Sequence, residues 1–192
     1  MHSTTYFSLL HNNVRSIKSN LENFQTHLLL SELDLNFNVI GVSETRIRNE
    51  IICDYNPNIP NYNFEHVPTP LSSGGVGMYI DKSLNYSVIE RTSNEAYQAL
   101  WIEIKFDKRT NIICGVLYRQ HNSPERFLTY FDESIERLSK TGKPIYVMGD
   151  TNLNLLRSDK CSLAQKFFFS LQSYNLLPTI DKPTRVHRNS MT

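Results

Sequence analysis

The sequence has no paired cysteines, no long apolar run and no bias of charge, and each absence removes a class of protein. Cys53, Cys114 and Cys161 are odd in number and far apart, with no C-x-x-C pair. That spacing argues against a disulfide framework and against a zinc site, and it fits a reducing, intracellular compartment. The opening M-H-S-T-T-Y-F-S-L-L lacks the basic start and apolar run of a secretory signal. No apolar stretch approaches the roughly 18 residues a membrane span needs. Internal repeats and low-complexity segments are also lacking. The formal net charge is only +1, so a site for a polyanion must come from local clusters of Lys and Arg. What is there is a chain of 192 residues, 40% hydrophobic and 20% charged, enough for one domain (1–192) with a substantial core.

Periodicity predicts the elements. Tyr6–Leu10 reads as a short strand. Ser19 and Glu22 form an S-x-x-E capping box, and Leu21, Phe24 and Leu28 repeat at helical spacing, so a helix is expected to about Leu33. Strands follow at Phe37–Val42, Tyr62–Val67, Val76–Ile80, Tyr86–Glu90, Ala99–Phe106 and Asn111–Tyr118. In Ala99–Phe106, Trp101, Glu103 and Lys105 alternate with Leu100, Ile102 and Ile104, the period of a half-buried strand. Ser123-Pro124 gives an N-cap and a first-turn proline for a helix lined by Phe127, Phe131, Ile135 and Leu138. Ile145–Met148 is a strand again, and Leu163, Phe167, Leu171 and Tyr174 mark a last helix before a basic, extended tail. The order is strand-helix-strand, a group of strands, strand-helix-strand, helix. That is a mixed-sheet α/β protein.

Both strand-helix-strand units should be crossovers between parallel strands, and these place their carboxyl ends on one edge of a sheet. Just past those ends stand Asn13 and Glu44 in the first unit, and Tyr118 and Asp150 in the second, with Asn152 beyond. Ligand sites in such sheets lie at the carboxyl ends. If the two edges face each other, one site holds all five residues; spacing alone does not decide it. Glu, Asp and Asn offer hard oxygens, suited to Mg²⁺. Arg15, Arg46 and Arg119 lie close by, and a divalent metal ringed by arginines suits a phosphate ester. Taken singly, each residue has a plainer reading. Glu44 with Arg46 makes a solvated loop pair, Tyr118 a half-buried strand residue, and Asp150 and Asn152 in G-D-T-N are turn formers. His11 and His187 read as surface groups.

The ordered segments L-L-H-N-N-V-R-S-I, V-I-G-V-S-E-T-R-I, G-G-V-G-M-Y-I, G-V-L-Y-R, Y-V-M-G-D-T-N-L-N-L-L and K-P-T-R-V span the chain. Together they resemble the endonuclease/exonuclease/phosphatase superfamily, with its apurinic-endonuclease-like fold. They are most similar to the endonuclease domain that opens the polymerase protein of jockey-type non-LTR retrotransposons. The resemblance implies a four-layer α/β sandwich of two mixed β-sheets flanked by helices, with the site at one rim. It also implies Mg²⁺ as cofactor, with Mn²⁺ as a substitute. Asn13 would contact the phosphate or metal, Glu44 would be the principal metal ligand, and Tyr118 would orient the scissile phosphate. Asp150 would position or deprotonate the attacking water, and Asn152 would hold the phosphate in the transition state. Arg15, Arg46, Arg119, Thr184 and Arg185 would contact phosphate or DNA. The implied protein is nuclear and monomeric, with a reverse transcriptase domain in the same polyprotein if the frame continues.

Two departures bear on these expectations. After Tyr118-Arg119 the family often has proline, and here Gln120-His121 stand instead. The family pattern also runs on through an I-D motif to a closing S-D-H, and neither appears before Thr192. The sandwich is therefore expected to be incomplete at the C-terminus, and hydrolysis to be absent or weak. Alternatives are an inactive remnant, a nucleic-acid-binding fragment, or a phosphatase of the same superfamily. Lys182, Arg185, His187 and Arg188 in the tail favour a polynucleotide. Binding that falls steeply as salt is added is the expected outcome; a flat salt profile would mark a small phosphate ester instead.

Overall fold

Two crossovers organise the molecule. The structure, a computed structural model, describes residues 6–29, 37–48, 57–121, 123, 125–182, 186–187 and 190–191. Strand β1 (Leu9–Asn13) leads through helix α1 (Ile17–Leu29) to β2 (Val39–Ser43). The two strands pair in parallel, from Leu9 opposite Val39 to Asn13 opposite Ser43. Then β3 (Tyr62–Val67) and β4 (Val76–Asp81) complete a first sheet in the order β1-β2-β4-β3. The second sheet, β5-β6-β7-β8, contains β5 (Asn85–Ser93), β6 (Tyr97–Lys105), β7 (Ile112–Arg119) and β8 (Ile145–Asp150). Helix α2 (Arg126–Ser139) is the crossover that makes β7 and β8 parallel. A 3₁₀ segment (Leu155–Lys160) and helix α3 (Ser162–Ser173) follow, then a short antiparallel ribbon of β9 (Val186–His187) and β10 (Ser190–Met191).

Strand alternation assigns each apolar side chain to a layer. Val39, Met78, Leu100, Ile102, Ile104 and Val116 meet between the two sheets. On the outer face of the second sheet, Trp101, Ile113 and Leu117 lie under Phe127, Phe131 and Ile135 of α2 and Phe167 of α3. Ile40, Val42 and Tyr79 on the outer face of the first sheet are covered by Val14, Ile17 and Ile59. The result is a four-layer sandwich, helix on sheet on sheet on helix, with both sheets mixed. Fully burying a large apolar side chain contributes about 1.5–3 kcal/mol, so these three clusters fix the sheets before any polar contact is counted.

Four expectations of local structure need correction. Strand β1 runs through the polar His11-Asn12-Asn13 instead of stopping at Leu10, because its register with β2 carries it there. Helix α1 begins at Ile17, ahead of the Ser19 capping box. Ile17 is buried in the outer core, and Asn20 Nδ2 donates to the carbonyls of Val14, Arg15 and Ser16, so tertiary anchoring sets the start. Trp101 does not lie on a solvated face. It is fully buried under α2, and its indole N–H donates to Tyr130 Oη at 3.1 Å. Helix α2 has no side-chain cap, its N-cap residue being Glu125. Pro124, Cys53, Thr184, Arg185 and Arg188 lie outside the described residues, as do the side chain of His187 and the reach of α1 past Leu29.

Gly149 shows how tightly β8 is set. It has φ +146°, and a Cβ there would lie 2.0 Å from the carbonyl oxygen of Leu117, its partner on β7. That glycine lets the strand tip bend against β7 and deliver Asp150. Gly149→Ala is expected to cost about 2–4 kcal/mol in urea unfolding, from strain plus displaced backbone. Gly142→Ala has a positive φ and open space around it, and should cost only about 1 kcal/mol.

Candidate active site

The strand ends are held in uncommon backbone conformations by hydrogen bonds from both sides. Arg15, Ser16, Glu44, Arg46 and Asn152 all have positive φ, a state costly to residues with a Cβ. Past β1, the backbone N–H groups of Val14, Ser16 and Ile17 donate to the carbonyls of Ser43, Glu44 and Thr45 at 3.0, 2.8 and 3.1 Å. On the other side, Thr45 N–H and Arg46 N–H donate to Gly75 and Gly74 at 3.2 and 2.9 Å. Glu44 is thus clamped between the β1 exit and the turn that enters β4. Its side chain stays 17% exposed, open to a ligand.

The two carboxyl edges do face each other. Asn13 Nδ2 donates to Glu44 Oε1 at 2.9 Å and, across the sandwich, to Asp150 Oδ2 at 2.8 Å. Residues 13, 44 and 150 come from both sheets and meet at one amide nitrogen. Asp150 Oδ1 accepts the backbone N–H of Asn152 at 3.0 Å, closing a turn. Asn152 Nδ2 in turn donates to the carbonyl of Arg119 at 2.7 Å, tying the β8 exit to the end of β7. Tyr118 is buried beside this latch. Burial foremost, and then the nearby Glu44 charge, raise its phenol above the ordinary range, while hydrogen bonding to Asn152 and Ser73 works the other way. The phenol therefore keeps its proton at neutral pH.

The arginines divide. Arg15 is exposed, and Arg46 is 45% exposed with its guanidinium 3.5 Å from Glu44. Arg119, expected at a phosphate, is instead buried, with Nη1 donating to the carbonyls of Gln120, His121 and Thr151. It holds the loops on which Tyr118 and Asn152 stand. Residues that sequence reasoning missed surround them. Gln98 Oε1 accepts the N–H of Gly75, and Gln120 exchanges bonds with Ser73 through its side-chain oxygen and nitrogen. The G-G-V-G segment was the only sequence signal pointing there. His11 is not a surface group. It is half-buried on β1 two residues before Asn13 with its Nε2 shut off from solvent, and that burial pushes its imidazole down to about 4, against an upward pull from Asp150.

This geometry, two carboxylates bridged by an amide at the facing tips of two mixed sheets, is accompanied by a match in sequence. The model of the Endonuclease/Exonuclease/phosphatase family matches residues 13–188. The chain belongs to this family. No curated protein matches it in sequence. Among solved structures it is similar to the endonuclease domain of TRAS1, a telomere-specific non-LTR retrotransposon, at 11% identity and a TM-score of 0.64, covering 97% of this chain and 81% of that one. The human Nocturnin catalytic domain is similar at 13% identity and a TM-score of 0.60, covering 90% and 73%. The AP endonuclease LMAP from Leishmania major is similar at 15% identity and a TM-score of 0.60, covering 88% and 66%. At these identities the likeness is one of fold.

Members of the endonuclease/exonuclease/phosphatase family generally depend on a divalent metal, and the donor set here fits one. Glu44 and Asp150 offer carboxylate oxygens at a partly open rim. Among the described residues no group of three or more His, Cys, Asp and Glu gathers into a closed cage. Mg²⁺ suits such a site, since it keeps several waters and takes one or two carboxylates besides substrate oxygens. Asn13 does not present a ligating oxygen. Its Nδ2 faces the carboxylates and its Oδ1 accepts the N–H of Arg15 at 3.2 Å. It holds the carboxylates that would bind the metal. Arg119→Gln, which takes the guanidinium away from the Gln120, His121 and Thr151 carbonyls, is expected to lower stability by about 1–3 kcal/mol in urea unfolding.

Proposed function

We propose that this site hydrolyses phosphodiester bonds in DNA, as the nicking endonuclease of a non-LTR retrotransposon. The observation that carries the reading is the Asn13 amide drawing Glu44 of one sheet and Asp150 of the other into a single carboxylate pair. The likeness in fold to the TRAS1 endonuclease domain over nearly the whole chain supports the choice of substrate. So do the exposed guanidinium groups of Arg15 and Arg46 at the rim, since phosphate contacts dominate binding to nucleic acid. On this reading the protein works in the nucleus as a monomer, beside a reverse transcriptase domain where the frame carries one.

Glu44 and Asp150 would hold Mg²⁺, or Mn²⁺ in its place, and the bound ion would polarise a phosphoryl oxygen. The remaining work falls to the chain. Asp150 orients the attacking water and takes its proton as the P–O3′ bond breaks, leaving a 3′-hydroxyl that gains its proton from solvent and a 5′-phosphate. Tyr118, still protonated, donates to a non-bridging oxygen of the scissile phosphate. Asn152 keeps Tyr118 and Asp150 in register through its bond to the Arg119 carbonyl. Asn13 spaces the two carboxylates.

Slow, Mg²⁺-dependent nicking of supercoiled plasmid is the expected activity. Glu44→Ala and Asp150→Ala should each lower it by about 10²–10⁴-fold with the fold intact. Arg15→Gln and Arg46→Gln should each flatten the dependence of log binding on log salt by about one unit, while Arg119→Gln leaves that slope unchanged. Cleavage of a soluble phosphate monoester with no nicking would overturn the reading in favour of a phosphatase.

A further inference from the structure

Beneath the carboxylate pair lie two buried polar groups that the proposed chemistry does not use. Leu9 of β1 and Val39 of β2 belong to the cluster between the sheets, while Leu10, Ile40 and Val42 belong to the outer one. By alternation His11, Asn13 and Ser43 therefore face the second sheet. His11 pairs with Gly41 and Asn13 with Ser43, so His11 and Ser43 are diagonal neighbours on that face. From the opposite sheet comes β8, with Met148 in the inter-sheet cluster and Asp150 bonded to Asn13. Met148 seats over Gly41, its Cε and Sδ 3.2 and 3.3 Å from where a Cβ would stand.

His11 Nε2 and Ser43 Oγ are both buried, and among the described residues neither has a hydrogen-bond partner. An unsatisfied buried polar atom costs about 1–3 kcal/mol, so two on one face, under a carboxylate, is an arrangement that asks for a shared partner. The two are chemically matched to one. The hydroxyl donates and accepts, the neutral imidazole does either at Nε2, and Asp150 only accepts. A buried water typically makes about three hydrogen bonds, and Asp150, whose charge acts on His11, offers the third acceptor.

We infer that an internal water bridges His11 Nε2, Ser43 Oγ and the Asp150 carboxylate, and that His11 and Ser43 are thereby positioning residues for Asp150. The water braces the carboxylate from below, as Asn13 and the Asn152 N–H brace it from the sides. Asp150 then meets a phosphate at the rim in one orientation instead of several. The positioning role rests on the proposed hydrolysis at this site; the bridge itself does not.

Two measurements separate them. A high-resolution crystal structure of the whole chain should show a water within hydrogen-bond distance of His11 Nε2 and Ser43 Oγ. Direct pairing of those two atoms, or no water between them, would overturn the inference. In urea unfolding, the midpoint shifts of Ser43→Ala and Asp150→Ala should not add in the double variant; additive shifts count against the bridge. In the nicking assay, Ser43→Ala and His11→Phe should lower kcat by roughly 10–100-fold with KM nearly unchanged, and His11→Gln, which returns a polar atom to that position, should recover most of it. Unchanged kcat in Ser43→Ala, a substitution too small to unfold the protein, would defeat the positioning role. Should the wild-type chain not nick at all while the water is seen and the shifts fail to add, the functional reading falls and the bridge stands.

Discussion

The site depends on one amide. Asn13 Nδ2 donates to Glu44 and Asp150 together, and no apolar packing could substitute for it. The two carboxylates belong to different sheets, and like charges brought together repel. Packing between the sheets places the strand tips a side chain apart, and the amide converts that proximity into fixed geometry. An aspartate would add a third negative charge, and a leucine would leave both carboxylates without a donor. An amide presents two N–H groups on one nitrogen, one for each carboxylate, and its oxygen is then free for the Arg15 N–H.

The strain around this amide is spread over the loops that present it. Glu44, Arg46 and Asn152 sit at positive φ, each a state of order 1–3 kcal/mol above the common regions. None is left to hold itself. Glu44 and Arg46 are fixed by backbone bonds to the β1 exit and to Gly74 and Gly75. Asn152 is fixed by the Asp150 carboxylate and the Arg119 carbonyl. Arg119 is the hub of that second latch, and the three carbonyls it binds lie just past the ends of β7 and β8. A cation that looks like a phosphate contact in the sequence is spent on backbone.

This explains what the sequence made legible. Periodicity located Tyr62–Val67 to the residue, and it found the face Phe127, Phe131, Ile135 and Leu138 that α2 buries. Those features are repeated along the chain, so a window of residues carries them. The parallel crossovers put Asn13, Glu44, Tyr118 and Asp150 at strand ends, because connection rules are local as well. Illegible were matters set by a partner distant in sequence. Trp101 looked half-exposed because nothing nearby announces that α2 covers it. The polar stretch His11–Asn13 did not look like strand because its pairing with β2 lies across a crossover. Arg119 and His11 misled for the same reason: both are polar groups turned inward, and orientation is fixed by the other sheet.

The strands that carry the two sides of the site are also the least supported. Among the described residues β1 and β8 are edge strands, each paired on one side only, β1 to β2 and β8 to β7. An edge strand has half the backbone bonds of an inner one and can shift or fray more readily. Yet Asn13 and Asp150 stand at the tips of these two. Their positions are secured across the sandwich as well as along the sheet. Met148 over Gly41 secures the apolar part, and the 2.8 Å bond from Asn13 to Asp150 secures the polar part. The contacts that build the site therefore also tie β1 to β8 across the sandwich.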